Sequence, residues 1–323
     1  MKKIYMIAAA AVLAVTTSCK HKELCYDHPH TGSVQVVFDW QYAPDAAPKS
    51  MALYMFPAGG GEALRYDFTD RNGGTIRIAD GTYYAVCLNS DTENISHRNT
   101  EEHEIFHITT PSTSLLAGFA TLGVRSDGAP RAAGTENERI ALVPDVLWTD
   151  YAEGIALTQI SGTRTITLCP KLSTSNYTVE IRNAQNLQYV HGISGSISSL
   201  GGGLLPHRGC DALTDECVTI PFDARMEEDD KGEKTVVTGS LRAFGHHDRT
   251  KGNKHELIVY AVLADGSKWY YTFDVSDQIH AAPDPRNVHI LLEGLPLPKP
   301  IVNGGGFQPE VDPWNPVDVP IEM

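Results

Sequence analysis

Apolar side chains recur at every second position in short runs throughout this chain, a period that fits strands with one buried face and not a helical bundle. Val34, Val36, Phe38 and Trp40 share one face of such a run, and Met51, Leu53 and Met55 share another. The spacing returns around Tyr84-Val86-Leu88, Tyr177-Val179-Ile181, Leu257-Val259, Trp269-Tyr271-Phe273 and Val288-Ile290-Leu292. Between the runs lie Pro57-Ala58-Gly59-Gly60-Gly61, Asn72-Gly73-Gly74, Asp80-Gly81 and Asp265-Gly266, and the last is a strong hairpin signal. Helical spacing is confined to a short candidate at 144–151. The expected fold class is all-β, built from antiparallel β-sandwiches.

A chain of 323 residues is long enough for two such domains at roughly 150 residues each. The breaks in the pattern place an N-terminal β-sandwich at 19–165, a C-terminal one at 166–295, and a Pro- and Gly-rich tail at 296–323. The polar, Gly- and Ala-rich stretch 126–138 is expected to be a long exposed loop.

Lys2 and Lys3, an apolar run over 4–15, and the small residues Thr16-Thr17-Ser18 before Cys19 resemble a bacterial lipoprotein signal peptide over 1–18. Cys19 would then be the lipidated first residue of the mature protein, and the membrane its first partner, held through acyl chains. Lys20-His21-Lys22-Glu23 beyond it is not an acidic run, which leaves the face of the outer membrane open. Forty acidic residues against 26 basic ones give a net charge of -14, so the chain lacks the basic footprint of a nucleic-acid binder. The other cysteines are Cys25, Cys87, Cys169, Cys210 and Cys217, an odd number that cannot pair completely within the chain. Cys210 and Cys217 bracket a short polar loop and are candidates for a disulfide, with two reduced cysteines packed as small hydrophobes as the alternative.

His103-Glu104-Ile105-Phe106-His107 matches the H-E-x-x-H pattern of zinc hydrolases, which requires a helix to bring both imidazoles to one ion. The run continues as Ile108-Thr109-Thr110-Pro111, a strand-like sequence, and on a strand positions four apart stand about 13 Å from each other. His28-Pro29-His30 and His246-His247 could assist a metal site, but alone they are adjacent polar residues near strand ends. Asp211, Asp215 and Glu216 lack the spacing of a calcium loop, and Gly201-Gly202-Gly203 lacks the lysine of a phosphate loop. The chain is expected to be no enzyme and to carry no cofactor or metal.

Cys19, Leu24-Cys25-Tyr26-Asp27-His28-Pro29-His30, Val36-Val37-Phe38-Asp39-Trp40, Asn89-Ser90-Asp91-Thr92-Glu93-Asn94, Ala129-Pro130-Arg131-Ala132 and Pro144-Asp145-Val146-Leu147-Trp148 together resemble an uncharacterised family of Bacteroidetes-type surface lipoproteins. That family is similar to the anchor subunits of type V fimbriae, in the fimbrillin superfamily. The resemblance implies two tandem transthyretin-like sandwiches on a lipid anchor, a role in holding or nucleating a surface fimbria or in adhesion, and a fimbrial subunit as partner through strand addition. It also implies that stalk subunits lose their first strand by cleavage after an arginine, whereas this chain has no arginine between Cys19 and Arg65.

Val317, Val319, Ile321 and Met323 would share one face of a terminal strand, which suits donation to a partner. Pro320 counts against it, because it removes a ladder donor. Folding back as an edge strand and disorder are the other readings. The competing function is a stand-alone lipoprotein that binds glycans or proteins on Trp269, Tyr270 and Tyr271, residues that would otherwise be cross-strand packing pairs.

Overall fold

The computed structural model describes residues 31–124, 128–157, 164–228, 232–248, 254–300 and 313–318. The expected signal peptide 1–18, Cys19, Cys25 and His28-Pro29-His30 lie outside the described residues. Regular structure within them is almost entirely β, as the period-two runs require.

In the first unit, β1 (Thr31–Phe38) lies between antiparallel β4 (Gly73–Ala79) and parallel β10 (Arg164–Leu168). The facing sheet runs β11 (Lys171–Leu172), β9 (Trp148–Leu157), β5 (Gly81–Asn89), β2 (Met51–Pro57), β3 (Leu64–Phe68). Val34, Val36 and Phe38 from one sheet meet Met51, Leu53, Met55 and Cys87 from the other in a closed core. Strand β2 is buried on both faces, because Ala52, Tyr54 and Phe56 on its far side enter a second core.

The second unit is one long sheet in the order β19 (Asn287–Pro296), β12 (Ser175–Gln185), β16 (Lys234–Ala243), β15 (Cys217–Glu228), β13 (Val190–Gly201), β17 (Glu256–Leu263), β18 (Lys268–Asp274), β20 (Trp314–Asp318). It folds over itself about β15, whose first half pairs with β13 and second half with β16. Enclosed between the halves are Tyr177, Val179, Ile181, Leu257, Val259, Tyr271, Phe273, Val288, Ile290 and Leu292, the alternating residues of the sequence pattern. Asp265-Gly266 makes the β17–β18 hairpin, with Gly266 at φ 83°.

Two crossings tie the units together. A small sheet of β14 (Gly203–Leu204), β7 (His107–Thr109) and β6 (Ser96–Arg98) packs Phe106, Ile108 and Leu204 against the outer face of β2 and β5. The chain then crosses to the second unit, where β8 (Arg139–Ile140) pairs with β15. Strands of the first unit continue to Leu172 and those of the second begin at Ser175, so position 165 falls inside β10 rather than between the units.

Two local expectations change. The segment 144–151 is not helical: β9 begins at Trp148 and alternates against β5, where aromatic and β-branched side chains find cross-strand partners. The stretch 126–138 is not simply exposed. Ala132 and Thr135 are buried, and Ala132 joins Leu115, Leu116, Phe119 and Val124 in covering Ile258, Tyr260 and Val262 on the outer face of β17. Glu138 fastens this cover, its carboxylate accepting from Ser199 N at 3.0 Å, Ser199 Oγ at 2.9 Å and Thr219 Oγ1 at 2.7 Å.

Candidate functional site

Residues Trp314–Asp318 form the last strand of the second sheet. Strand β20 runs parallel to β18, with Trp314 opposite Lys268 and Val317 opposite Tyr271. Successive side chains point to opposite faces, so this short strand is held on two sides. Outside, Trp314 stands edge-on to Tyr260 with ring centroids 5.5 Å apart, and the Lys268 ammonium sits 5.9 Å from the indole. Inside, Val317 packs on the sandwich core, while Asn315 Nδ2 donates to Lys268 O at 3.0 Å. The free flank of β20 pairs with no strand among the described residues, and Pro316, which has no N–H, occupies the kind of edge position where proline is tolerated.

Of the three readings of the tail, 314–318 follow folding back onto the chain's own second sandwich. Val319, Ile321 and Met323 lie outside the described residues. The sequence reading started the terminal strand at Val317 and missed Trp314. An isolated tryptophan between prolines, three positions before Val317, is the signal that could have extended it. Trp314→Ala is expected to release β20 and speed hydrogen exchange of the β18 amides that face it, at a cost of about 1–2 kcal/mol for partial burial of an aromatic ring. Unchanged β18 exchange would mean that Val317 and the ladder hold the strand without the indole.

Trp269, Tyr270 and Tyr271 do not form an exposed aromatic face. Tyr271 is fully buried and its hydroxyl donates to Pro296 O at 3.1 Å. Trp269 packs on the same core, and Tyr270 on the outer cluster beneath the crossover. Both neighbours of β18 are occupied, by β17 and β20, which leaves these rings as packing pairs.

At the other end of the chain, β1 sits at the centre of its three-stranded sheet with Val34 and Val36 buried. Arg65, the first arginine after Cys19, lies on edge strand β3 and pairs with Asp67 at 2.8 Å.

The H-E-x-x-H residues occupy a turn and a strand. The His103 ring stacks on Tyr84 with centroids 3.8 Å apart, and His107 opens β7 with Nδ1 3.3 Å from Ile105 O. Phe106 between them is fully buried, so the spacing serves packing. Of the two readings of Cys210 and Cys217, the reduced one matches the free thiol of Cys210, which burial pushes above its ordinary pKa. Backbone bonds tie the segment between them to the β14 region, from Leu205 N to Ala212 O at 2.8 Å and from Thr214 N to Gly203 O at 2.9 Å. Two of its acidic residues pair with arginines: Asp211 is 3.5 Å from Arg286, and Glu216 is 2.8 Å from Arg139. Gly203 lets β14 approach the carbonyl of Ile108, where any Cβ would collide. His246 accepts or donates at 2.8 Å with the Tyr177 hydroxyl. Burial, with the neighbouring imidazoles, holds His246 and His255 down at about 4.

A family profile described as a domain of unknown function, DUF5119, matches residues 18–223, covering most of the chain. The chain belongs to the DUF5119 family. Its region of match spans the whole first unit and continues through β8, β12 and β13 into β15. This DUF5119 chain is also 22% identical, over 95% of its length and 94% of the relative's, to a Bacteroides ovatus protein named as a fimbrium anchoring subunit, Fim4B. Among solved structures, one described as an adhesin from Bacteroides ovatus shares the fold with a TM-score of 0.60 at 18% identity, over 87% of this chain and 99% of that one. A Bacteroides thetaiotaomicron structure described as a polysaccharide binding protein of the DUF1812 group gives a TM-score of 0.50 at 11% identity, over 81% and 90% of the two chains.

Proposed function

We propose that this chain is a non-enzymatic fimbrial anchor subunit of the bacterial envelope, lipidated at Cys19, held in the outer membrane, and engaging a fimbrial subunit by strand addition. The observation that carries the reading is the likeness to a protein named as a fimbrium anchoring subunit along nearly the full length of both chains. The position of β1 supports it. A stalk subunit that gives up its first strand needs a cut just after that strand, whereas here the first arginine after Cys19 lies two strands further on, in β3, and β1 fills the middle of its sheet. Release of β1 would expose Val34, Val36 and Phe38 of the first core and detach the lipid. The flank of β20 supplies the other requirement, since an unpaired strand edge offers ladder hydrogen bonds to an incoming segment.

The reading is tested by pull-down from membranes under conditions that leave strand-exchanged complexes intact, comparing the full chain with one ending after Pro300. The cut is placed there because Leu295 and Leu297 are buried in the second core. Retention of a fimbrial subunit by the full chain and its loss with the truncation is the expected result. Capture of no fimbrial subunit by either would overturn anchoring and leave a lipoprotein that binds glycans or proteins on its own.

A further inference from the structure

At one end of the second sandwich, three histidines from separate elements meet. His246 follows β16, His255 precedes β17, and His280 ends the helix α1 (Ser276–His280). Their ring centroids are 4.9 Å apart for His255–His280, 5.4 Å for His246–His280 and 5.8 Å for His246–His255. Three imidazoles bound to one tetrahedral ion at ordinary Zn–N lengths have centroids separated by about 5 Å, so each of the three spacings falls near the value that shared ligation would set.

The hydrogen bonds around the trio point the same way. His255 is fully buried, and its Nδ1 lies 3.2 Å from the carbonyl of Ser198, which can only accept. Nδ1 therefore carries the proton, and Nε2 is left with a lone pair. That Nε2 is buried and has no hydrogen-bond partner, an arrangement that costs stability unless something else fills it. The Tyr177 hydroxyl at His246 Nδ1 likewise leaves Nε2 as the ligating atom if Nδ1 donates. A backbone carbonyl or hydroxyl on the remote nitrogen is the outer-shell partner that metal-binding histidines ordinarily have. His246 and His280 are half-buried, which gives an ion a route from solvent.

We infer that His246, His255 and His280 form a binding site for a divalent transition metal of the zinc type, completed by solvent in the fourth position. Three neutral nitrogen donors without a carboxylate suit Zn2+ over Ca2+ or Mg2+. Among the described residues no three such ligands yet surround a common point, so binding requires the half-buried His246 and His280 rings to turn toward His255 Nε2. The site lies outside the residues named for anchoring, and its test is independent of that function.

The experiment is calorimetric titration of ZnCl2 into chelator-treated mature chain, repeated with His280→Ala and with Tyr177→Phe, and paralleled by Co2+ absorption. Expected are one equivalent of Zn2+ bound, an intense visible Co2+ spectrum of four-coordinate type, affinity weakened by tenfold or more in His280→Ala, and by about tenfold in Tyr177→Phe, which keeps the fold but loses the outer-shell hydroxyl. Circular dichroism identifies any variant that fails to fold, and His246→Gln then replaces it. The chain has thirteen histidines. Zinc bound equally by wild type and folded variants would place the ion elsewhere, and no stoichiometric binding would mean that the rings are a packing cluster; either result overturns the site.

Discussion

Phe106→Ala is expected to lower the unfolding free energy by about 3–5 kcal/mol, the usual cost of removing a fully buried phenylalanine. The ring lies at the junction of the two units. Its centroid is 5.2 Å from Tyr54, 5.8 Å from Phe56 and 5.9 Å from His97, so truncation strips contacts from the far face of β2 as well as from the small sheet. The cavity cannot close easily, because β2 is packed on its other face by the first core. Denaturant unfolding followed by tryptophan fluorescence measures the loss, and a second transition would show that the units had uncoupled. A loss below about 1 kcal/mol would mean that the small sheet adds little to the joint.

The same junction should make the protein sensitive to acid. His97 is largely buried, its Nε2 finds no hydrogen-bond partner, and its ring lies nearly parallel to Phe106 at an interplanar angle of 16°. Burial first, and the Arg65 charge second, lower it from 6.5 to about 4. Its charged form is thus disfavoured in the folded state. Above pH 6.5 the imidazole is neutral whether the chain is folded or not. As pH falls below that value the unfolded chain takes the proton and the folded one does not, so stability declines until the folded pKa near 4 is reached. The shift sets a ceiling of about 3 kcal/mol, reduced because the ring keeps some solvent contact. His97→Phe keeps the stack and removes the proton site. Its stability relative to wild type should therefore rise by about 2 kcal/mol between roughly pH 7 and pH 4.5, measured by urea denaturation in the presence of chelator. A constant difference across that range would mean that His97 is protonated as easily folded as unfolded.

The strands of both cores were legible because their alternation is a local property: Val34 to Phe38, Tyr177 to Ile181 and Val288 to Leu292 show in sequence the face that they bury. What decides the junction is not local. Nothing near Ala52, Tyr54 and Phe56 indicates that they meet Phe106, about fifty residues on, and a strand buried on both faces loses the polar half of its alternation. The crossover is hidden for a related reason. Its glycines and alanines give no apolar periodicity, while the apolar group that seats it, Leu115 to Val124, lies just before 126–138. For the edge strand, sequence supplied Val317 as inward-facing but not the parallel pairing with β18, which depends on where the chain returns after 301–312. Cys210 and Cys217 show the limit of spacing arguments, since the segment that carries them is held by backbone bonds to residues 202–205.

The crossover also bears on how the protein would behave under tension. Chain from the first half of the sequence lies over β17 and pairs with β15, while β14 from the second half pairs with β7. A pull entering at the amino end and leaving at the far edge would be shared by these interleaved contacts instead of falling on one connecting peptide. Separating the halves would first require stripping Leu116 and Phe119 from the sheet and breaking the Glu138 hydrogen bonds. A molecule held in a membrane at one end and attached to a filament at the other would thus yield as a pair of sandwiches, not at a flexible joint between them.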